Sequence, residues 1–132
     1  MYPERKIKTW GEELILENNE KYCGKIITVD MEWSSEGKYH KHEMKDETFF
    51  PLEGVVEIEI IDDQGFVQRT YLFSDRFCQS YRILPGTYHR FRGAKGKSKF
   101  IEISTHDSPE DNYYGIITKL GFIKLPNEGG SK

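Results

Sequence analysis

Short stretches with β-strand patterning run through most of this chain, and no long segment shows a helical period. The clearest is VVEIEI (55–60), in which Val56, Ile58 and Ile60 alternate with glutamates that would face the opposite way. Glycine, proline and turn signals such as DDQG separate these stretches at close intervals. This pattern predicts an all-β fold, an antiparallel sandwich or barrel.

The predicted strands are KIITVDMEW (25–33), TFFPLEG (48–54), VVEIEI (55–60), FVQRTYLF (66–73), YRIL (81–84) and SKFIEIST (98–105). The segment PEDNYYGIITKLGF (109–122) is compatible with one short helix or with a final strand. No internal repeat or linker is visible in the 132 residues, so we expect a single domain.

The balance of charge limits the partners that the chain can have. Its formal net charge is −3, so we expect no nucleic-acid partner. One local basic cluster is the exception: Arg90, Arg92, Lys95, Lys97 and Lys99. We interpret it as a solvated loop with strand ends or, alternatively, as a surface that contacts phosphate.

The sequence shows no membrane or secretion signal. No apolar run approaches the length of a membrane span, and the opening residues MYPERKIKTWGEE lack the apolar core of a signal peptide. The two cysteines, Cys23 and Cys78, form no disulfide framework and match no zinc spacing. We therefore expect a cytoplasmic protein with free thiols and no membrane partner.

Four residues of metal-ligand type occur at suggestive spacings. His40 and His42 are two residues apart, so on a strand both would point to the same face. Glu47 has the wrong parity for one continuous strand, but a turn at EMKD would let it begin the next strand facing the same interior. His89 follows LPGTY, a turn that would direct it inward. We predict that these four residues bind a metal, in preference to being surface groups on a hairpin.

Three neutral imidazoles and one carboxylate suit a divalent ion of the first transition row. They also leave positions open, two of which would accept adjacent oxygens of a substrate. We expect Mn²⁺, with Zn, Fe, Co and Ni as alternatives, because all four ligands are of borderline type.

HKHEMKDETFFPLEG resembles the first motif of the cupin superfamily at every spacing, with His40, His42, Glu47 and Gly54 as the matching residues. LPGTYH resembles the second motif, with Gly86 and His89 in place. Ser34 and Leu84 stand where the motifs usually have glycine and proline. The resemblance covers about residues 25–105 and implies a small single-domain cupin, a jelly-roll β-barrel with the metal inside.

Residues 1–24 would then form an N-terminal arm and residues 106–132 a C-terminal extension. Three further features resemble sugar isomerases. HKHEMKDE is similar to D-lyxose isomerases, which carry a lysine at the place of Lys45. IEISTHDSPEDNYY is similar to a second stretch of these enzymes at Glu102, Ser104, Asp107, Asp111, Asn112 and Tyr114. TWGEE (9–13) resembles the segment that opens the cupin domain of phosphomannose isomerases.

Lys45 and Glu102 are the catalytic residues that this resemblance implies. Alternation in FIEIS alone favours an outward Glu102 with Ile101 and Ile103 in the core, whereas the resemblance favours an inward Glu102. An inward glutamate would have a raised pKa, which suits a base that works near neutral pH. Lys45 beside a cation would have a lowered pKa; the alternative is an exposed turn lysine.

Asp111, Asn112 and Tyr88 are the predicted substrate contacts. Asp111 and Asn112 would fix sugar hydroxyls, or else they cap a helix or form a turn. Tyr88 would line the pocket, with packing in the core as the alternative.

Together these residues predict an enzyme, a metal-dependent aldose–ketose isomerase that acts on a free or phosphorylated sugar through an enediol. The alternatives are a sugar-phosphate or nucleotide-sugar epimerase or accessory cupin, a non-catalytic sugar-binding cupin, and a metal-dependent dioxygenase. We expect a homodimer, with VVEIEI or an N-terminal strand pairing across the interface.

Overall fold

The computed structural model describes residues 1–76 and 79–126, so Cys78 and residues 127–132 of the predicted C-terminal extension lie outside the described residues. The described part contains twelve strands: β1 (Glu4–Lys8), β2 (Gly11–Asn18), β3 (Cys23–Val29), β4 (Tyr39–Lys41), β5 (Glu47–Glu53), β6 (Val55–Ile61), β7 (Val67–Phe73), β8 (Tyr81–Ile83), β9 (His89–Gly93), β10 (Ser98–Ser104), β11 (Tyr113–Thr118) and β12 (Gly121–Lys124). A short 3₁₀ segment, Ser34–Gly37, precedes β4.

The strands form two antiparallel sheets that enclose the core. The first sheet has the order β1-β2-β3-β10-β5-β8, and the second has the order β12-β11-β4-β9-β6-β7. Between β3 and β11 the chain changes sheet at every step except from β6 to β7, which is the connectivity of a jelly roll. The prediction of a small all-β jelly-roll barrel is confirmed.

Aromatic rings fill the space between the sheets. Phe49, Phe91 and Phe100 have ring centroids 4.6, 5.1 and 5.7 Å apart. Trp10 packs edge-on against Phe91 at 5.4 Å, so the predicted N-terminal arm contributes to the core. Full burial of one such side chain stabilises a fold by roughly 1.5–3 kcal/mol. This tightly packed aromatic cluster therefore supports the histidines described below.

The two ends of the chain were the parts that sequence patterning described least well. The hairpin β1–β2 was not predicted, because β1 is exposed on both faces and its sequence ERKIK has no apolar period to show. The segment 109–122 contains strands β11 and β12 rather than a short helix. No helix among the residues that the structure describes is long and apolar enough to cross a bilayer.

The glutamates of VVEIEI do face away from the core, yet they are not solvated. Glu57 and Glu59 are 3% and 2% exposed. Arg92 donates to Glu57 at 2.9 Å, Arg90 donates to Glu59 at 2.8 Å, and Arg69 pairs with both glutamates. Two members of the basic cluster are thus neutralised on the outer face of the second sheet, which leaves them unavailable as phosphate ligands.

Candidate functional site

Three histidines and a glutamate converge inside the barrel, and they come from both sheets. His40 on β4 lies directly opposite His89 on β9, while His42 follows β4. Glu47 begins β5 in the other sheet. The ligating nitrogens of the histidines all lie within 4.8 Å of one another. Oε2 of Glu47 lies 3.2 Å from Nε2 of His89 and 3.4 Å from Nε2 of His42, so the structure brings all four predicted ligands together.

A turn over residues 43–46 carries the chain from one sheet to the other. The carboxylate of Asp111 accepts hydrogen bonds from the backbone N–H groups of Glu43, Met44 and Lys45 at 2.7, 3.1 and 3.1 Å. Three backbone donors that the strands leave unpaired are satisfied in this way. The change of sheet is what lets Glu47 face the histidines despite its parity in the sequence.

Backbone carbonyls fix the orientation of two imidazoles. Nδ1 of His42 lies 2.8 Å from the carbonyl oxygen of Asp111, and Nδ1 of His89 lies 2.9 Å from that of Thr87. Because a carbonyl oxygen only accepts, Nδ1 carries the hydrogen in both rings. Nε2 of each ring is then left with a lone pair directed at the cluster, as in ligating histidines.

Four buried polar atoms at the centre of the cluster have no hydrogen-bond partner among the described residues. They are Nδ1 of His40, Nε2 of His42, Nε2 of His89 and Oε2 of Glu47. Leaving such an atom unsatisfied costs about 1–3 kcal/mol. A single cation among them would satisfy all four, and the donor set fits a divalent metal ion of the first transition row.

The protonation states also suit a metal. Burial holds the pKa of His40 well below its usual value and lowers the pKa of His42 to about 4, so both rings are neutral ligands. Burial opposes the ionisation of Glu47, but the nearby Lys45 and His89 outweigh it and keep the pKa of this carboxyl well below its usual value.

A chain of buried charges runs from the ligand cluster into the first sheet. Nζ of Lys45 lies 3.0 Å from Glu102, 3.1 Å from Asp107 and 3.6 Å from Oε1 of Glu47. Lys45 and Glu102 are only 4% and 3% exposed. Asp107 also accepts from Lys25, at 3.0 Å. Lys45 is therefore no exposed turn lysine, and it stands between the metal ligands and Glu102.

Glu102 faces the interior, with Phe100 and Ser104 on the same side of β10. Ile103 points outward and is 61% exposed, so the alternation of isoleucines in FIEIS was misleading. Burial raises the pKa of Glu102 above its usual value, although Lys45 and Lys25 act against this rise. The raised pKa agrees with the prediction made for an inward glutamate.

The pKa of Lys45 is governed by the carboxylates around it, and its predicted lowering beside a cation stays a prediction. Burial lowers the pKa of this amine, but the surrounding carboxylates of Glu102, Glu47 and Asp107 outweigh burial and raise it well above its usual value. A dication bound beside Glu47 would act in the opposite direction.

The site opens into a cavity of about 240 Å³. Its walls include the ligands His40, His42 and Glu47, the pair Lys45 and Glu102, the aromatic residues Trp10, Phe91 and Tyr114, and the strand residues Lys6, Lys8, Glu13 and Lys25. A space of this size next to the ligand cluster gives a small molecule access to the metal site.

The three predicted substrate contacts have different positions. Asn112 lines the cavity, and its side-chain amide donates to the carbonyl of Pro109 at 3.0 Å. Asp111 does not line it, because its carboxylate is bound to the 43–46 turn. Tyr88 packs on Phe122 outside the cavity, at 4.8 Å between ring centroids. Successive strand residues alternate, so the inward His89 turns Tyr88 outward.

Structural comparison identifies the fold. A scan of protein-family models and a search of curated proteins each found no match. Among solved structures, CapF, a capsular polysaccharide assembling protein from Staphylococcus aureus, matches with a TM-score of 0.72 and 16% identity over 86% of this chain and 32% of its own. The chain has a cupin fold.

Two further cupins match at similar levels. KdgF from Halomonas sp. has a TM-score of 0.60 and 15% identity over 80% of this chain and 87% of its own. An oxalate decarboxylase variant from Bacillus subtilis has a TM-score of 0.68 and 11% identity over 83% of this chain and 29% of its own. The chain thus spans about a third of the length of CapF and of oxalate decarboxylase, and the likeness concerns the fold alone.

Sequence reasoning gave no site role to several residues that line the cavity of this cupin. Lys25 stands at an inward position of β3 between Cys23 and Ile27, and a lysine in such a buried row is a signal that could have been used. Asp107 belonged to the isomerase-like stretch but was given no role. Lys6 and Lys8 were missed because β1 itself was not predicted.

Proposed function

We propose that this cupin is a metal-dependent aldose–ketose sugar isomerase of the D-lyxose isomerase type. The observation that carries the proposal is the 3.0 Å contact between Lys45 and Glu102, two buried groups on the cavity wall beside the four metal-ligand residues. A sugar substrate agrees with the relative CapF, a capsular polysaccharide assembling protein.

A divalent cation, which we propose to be Mn²⁺, would be held by His40, His42, His89 and Glu47, and it would supply Lewis acidity to two adjacent sugar oxygens. The protein orients three of these ligands without the help of an ion. The carbonyls of Asp111 and Thr87 orient two imidazoles, and Lys45 lies on the Oε1 side of Glu47, leaving Oε2 to the cluster.

Proton transfer falls to Glu102 and Lys45. Isomerisation moves a proton from C2 to C1 and a second proton from the hydroxyl oxygen O2 to the carbonyl oxygen O1. Glu102, with its raised pKa, takes the proton from C2 and returns it to C1. Lys45 holds Glu102 in position and carries the proton between the two oxygens.

The test is exchange of the substrate C2 hydrogen with solvent. With Mn²⁺ and a panel of aldoses and ketoses in D₂O, the wild-type protein is expected to incorporate deuterium at C2. Glu102→Gln should keep the metal and lower the exchange rate by roughly 10²–10⁴-fold, the usual contribution of a general base. Mass spectrometry of the sugar and metal analysis of the protein provide the two measurements.

Glu57→Gln is the matched control, because Glu57 is as buried as Glu102 but pairs with arginines on the outer face. This variant should lose stability without losing exchange. Unchanged turnover in Glu102→Gln would contradict the assignment of the base.

The same panel separates the alternatives. Sugar binding without any deuterium uptake would identify a non-catalytic sugar-binding cupin, and uptake with inversion at the same carbon would identify an epimerase. Oxygen consumption would identify a dioxygenase. The expected homodimer and the cytoplasmic location stay predictions.

A further inference from the structure

Two lysines of β1 lie on the cavity wall. Lys6 and Lys8 are two residues apart, so both project from the same face of the strand. In the β1–β2 register Lys6 lies opposite Glu13, whose carboxylate reaches Lys25 inside the cavity at 3.2 Å. Residues directly opposite share a face. Lys6 and Lys8 therefore face the cavity, while Ile7 between them points away and is 73% exposed.

Neither ammonium group pairs with a carboxylate in the part of the chain that the structure describes. The other two lysines of the cavity, in contrast, pair with carboxylates. Lys45 is surrounded by Glu102, Asp107 and Glu47, and Lys25 lies between Asp107 and Glu13. Among the described residues of the cavity, the only charged side chains without a counter-ion are thus the two lysines of β1.

The charge of the cavity favours an anion. Its wall carries four lysines and four carboxylates, which balance formally, and the histidines are neutral ligands. A divalent cation at the histidine cluster would add two positive charges. A neutral sugar would leave this excess uncompensated, whereas a phosphate would compensate most of it and a carboxylate half of it, next to two unpaired donors.

We propose that Lys6 and Lys8 form an anion subsite that binds the phosphate or carboxylate group of an acidic sugar. The inference rests on the proposed function for the sugar part of the ligand and narrows its substrate class. It places the anion on β1 rather than on Arg90 and Arg92, which are held by the glutamates of β6.

Binding to the full chain loaded with Mn²⁺ tests the subsite, with no need for turnover. Titration calorimetry compares D-ribose 5-phosphate with D-ribose, and D-glucuronate with D-glucose. The wild-type protein should bind one acidic sugar at least about tenfold more tightly than its neutral parent. The pair of sugars that shows the preference tells whether the subsite selects a phosphate or a carboxylate. The preference should shrink as added salt screens the lysines.

The double variant Lys6→Gln/Lys8→Gln should lose the preference and bind the neutral sugars as before. Its charge-matched control is Lys119→Gln/Lys124→Gln in the β11–β12 hairpin. Neither of these two lysines lines the cavity, so this variant should keep the preference. Equal binding of acidic and neutral sugars by the wild-type protein would overturn the proposal. So would a preference that persists in the Lys6/Lys8 variant, because the metal alone would then hold the anion.

The two proposals fail in different ways. Acid preference without deuterium exchange at C2 would keep the anion subsite and overturn the isomerase. Suppose instead that neutral sugars exchange deuterium, that Lys6→Gln/Lys8→Gln leaves this exchange unchanged, and that acidic sugars are not preferred. This result would keep the isomerase and overturn the anion subsite.

Discussion

Asp111 shows how one residue can shape a site that it does not line. Its carboxylate holds the 43–46 turn, and its carbonyl orients His42. The resemblance to sugar isomerases singled out Asp111 as a substrate contact, whereas in the structure its carboxylate binds the backbone of the turn, because a motif match does not say which neighbour a side chain binds.

Replacing Asp111 by Asn should therefore weaken metal binding rather than sugar binding. The amide would turn a donor toward backbone N–H groups, and loss of such a supporting contact typically weakens metal affinity by about 10–100-fold. We also expect a loss of about 1–3 kcal/mol in the free energy of unfolding. Titration of the protein with Mn²⁺ and urea unfolding measure the two effects.

The control is Asp46→Asn, in the same turn, where the carboxylate pairs with the exposed Arg82. This surface pair contributes little, so metal affinity should stay near that of the wild-type protein. Wild-type metal affinity in Asp111→Asn would show that the turn holds its shape without this carboxylate.

The histidines of the candidate site were easier to predict than the buried charges behind them. Histidines are rare, and His40, His42 and His89 stood at spacings that strand geometry explains. Lys25 and Glu102 were ambiguous, because a charged residue in a strand is normally on the solvent side. Their burial is tolerable because Lys25 contacts both Asp107 and Glu13 and Glu102 contacts Lys45, and most of these contacts join distant parts of the chain.

At the scale of the element, β6 joins its two neighbouring strands in the second sheet through cross-strand ion pairs. It lies between β7 and β9, with Glu57 opposite Arg92 and Glu59 opposite both Arg69 and Arg90. These cross-strand pairs stabilise β9, the strand that carries His89. Alternation in the sequence predicted the two faces of β6, but it could not predict the arginines that cover the outer one.

Two glycines with left-handed backbone stand at the ends of β6 and provide a matched test. Gly54 has φ 74°, and an added Cβ would lie 2.4 Å from Oγ of Ser98, which accepts from the N–H of Val55. Gly65 has φ 86° and open space around it. Gly65→Ala should cost about 1–2 kcal/mol from backbone strain alone.

Gly54→Ala should cost about 2–5 kcal/mol in unfolding free energy, since a steric conflict adds to the same strain. Urea unfolding of both variants measures the difference. Equal losses in the two would show that Ser98 moves aside without penalty.

At the scale of the molecule, an antiparallel sandwich or barrel could be predicted because its central strands alternate clearly and their turns carry glycine. The jelly roll itself was implied by the resemblance to the cupin motifs. The N-terminal hairpin could not, because β1 buries neither face and so leaves no pattern. Its contribution appears only in three dimensions, where Trp10 packs on Phe91 and the lysines of β1 reach the cavity.

Metal binding should stabilise the whole barrel. A ligand that binds only the folded state at about 100 times its dissociation constant stabilises by about 2.7 kcal/mol, so Mn²⁺, Co²⁺ or Zn²⁺ should raise the midpoint of thermal unfolding. Ca²⁺, which prefers oxygen ligands, should raise it much less at the same concentration. Differential scanning fluorimetry checks this, and His89→Gln should abolish the response. A rise that His89→Gln retains would place the ion elsewhere.

The ligands of the candidate site belong to opposite walls of the barrel, with Glu47 on β5 facing histidines held by β4 and β9. An ion bound there would link the two sheets, so its release would require Glu47 to separate from the histidines, even though the cavity is open. The rate at which bound Mn²⁺ exchanges for a competing ion should then follow the rate of local opening seen by amide hydrogen exchange in β4 and β5. The rate of metal release would thereby measure how often the barrel opens locally.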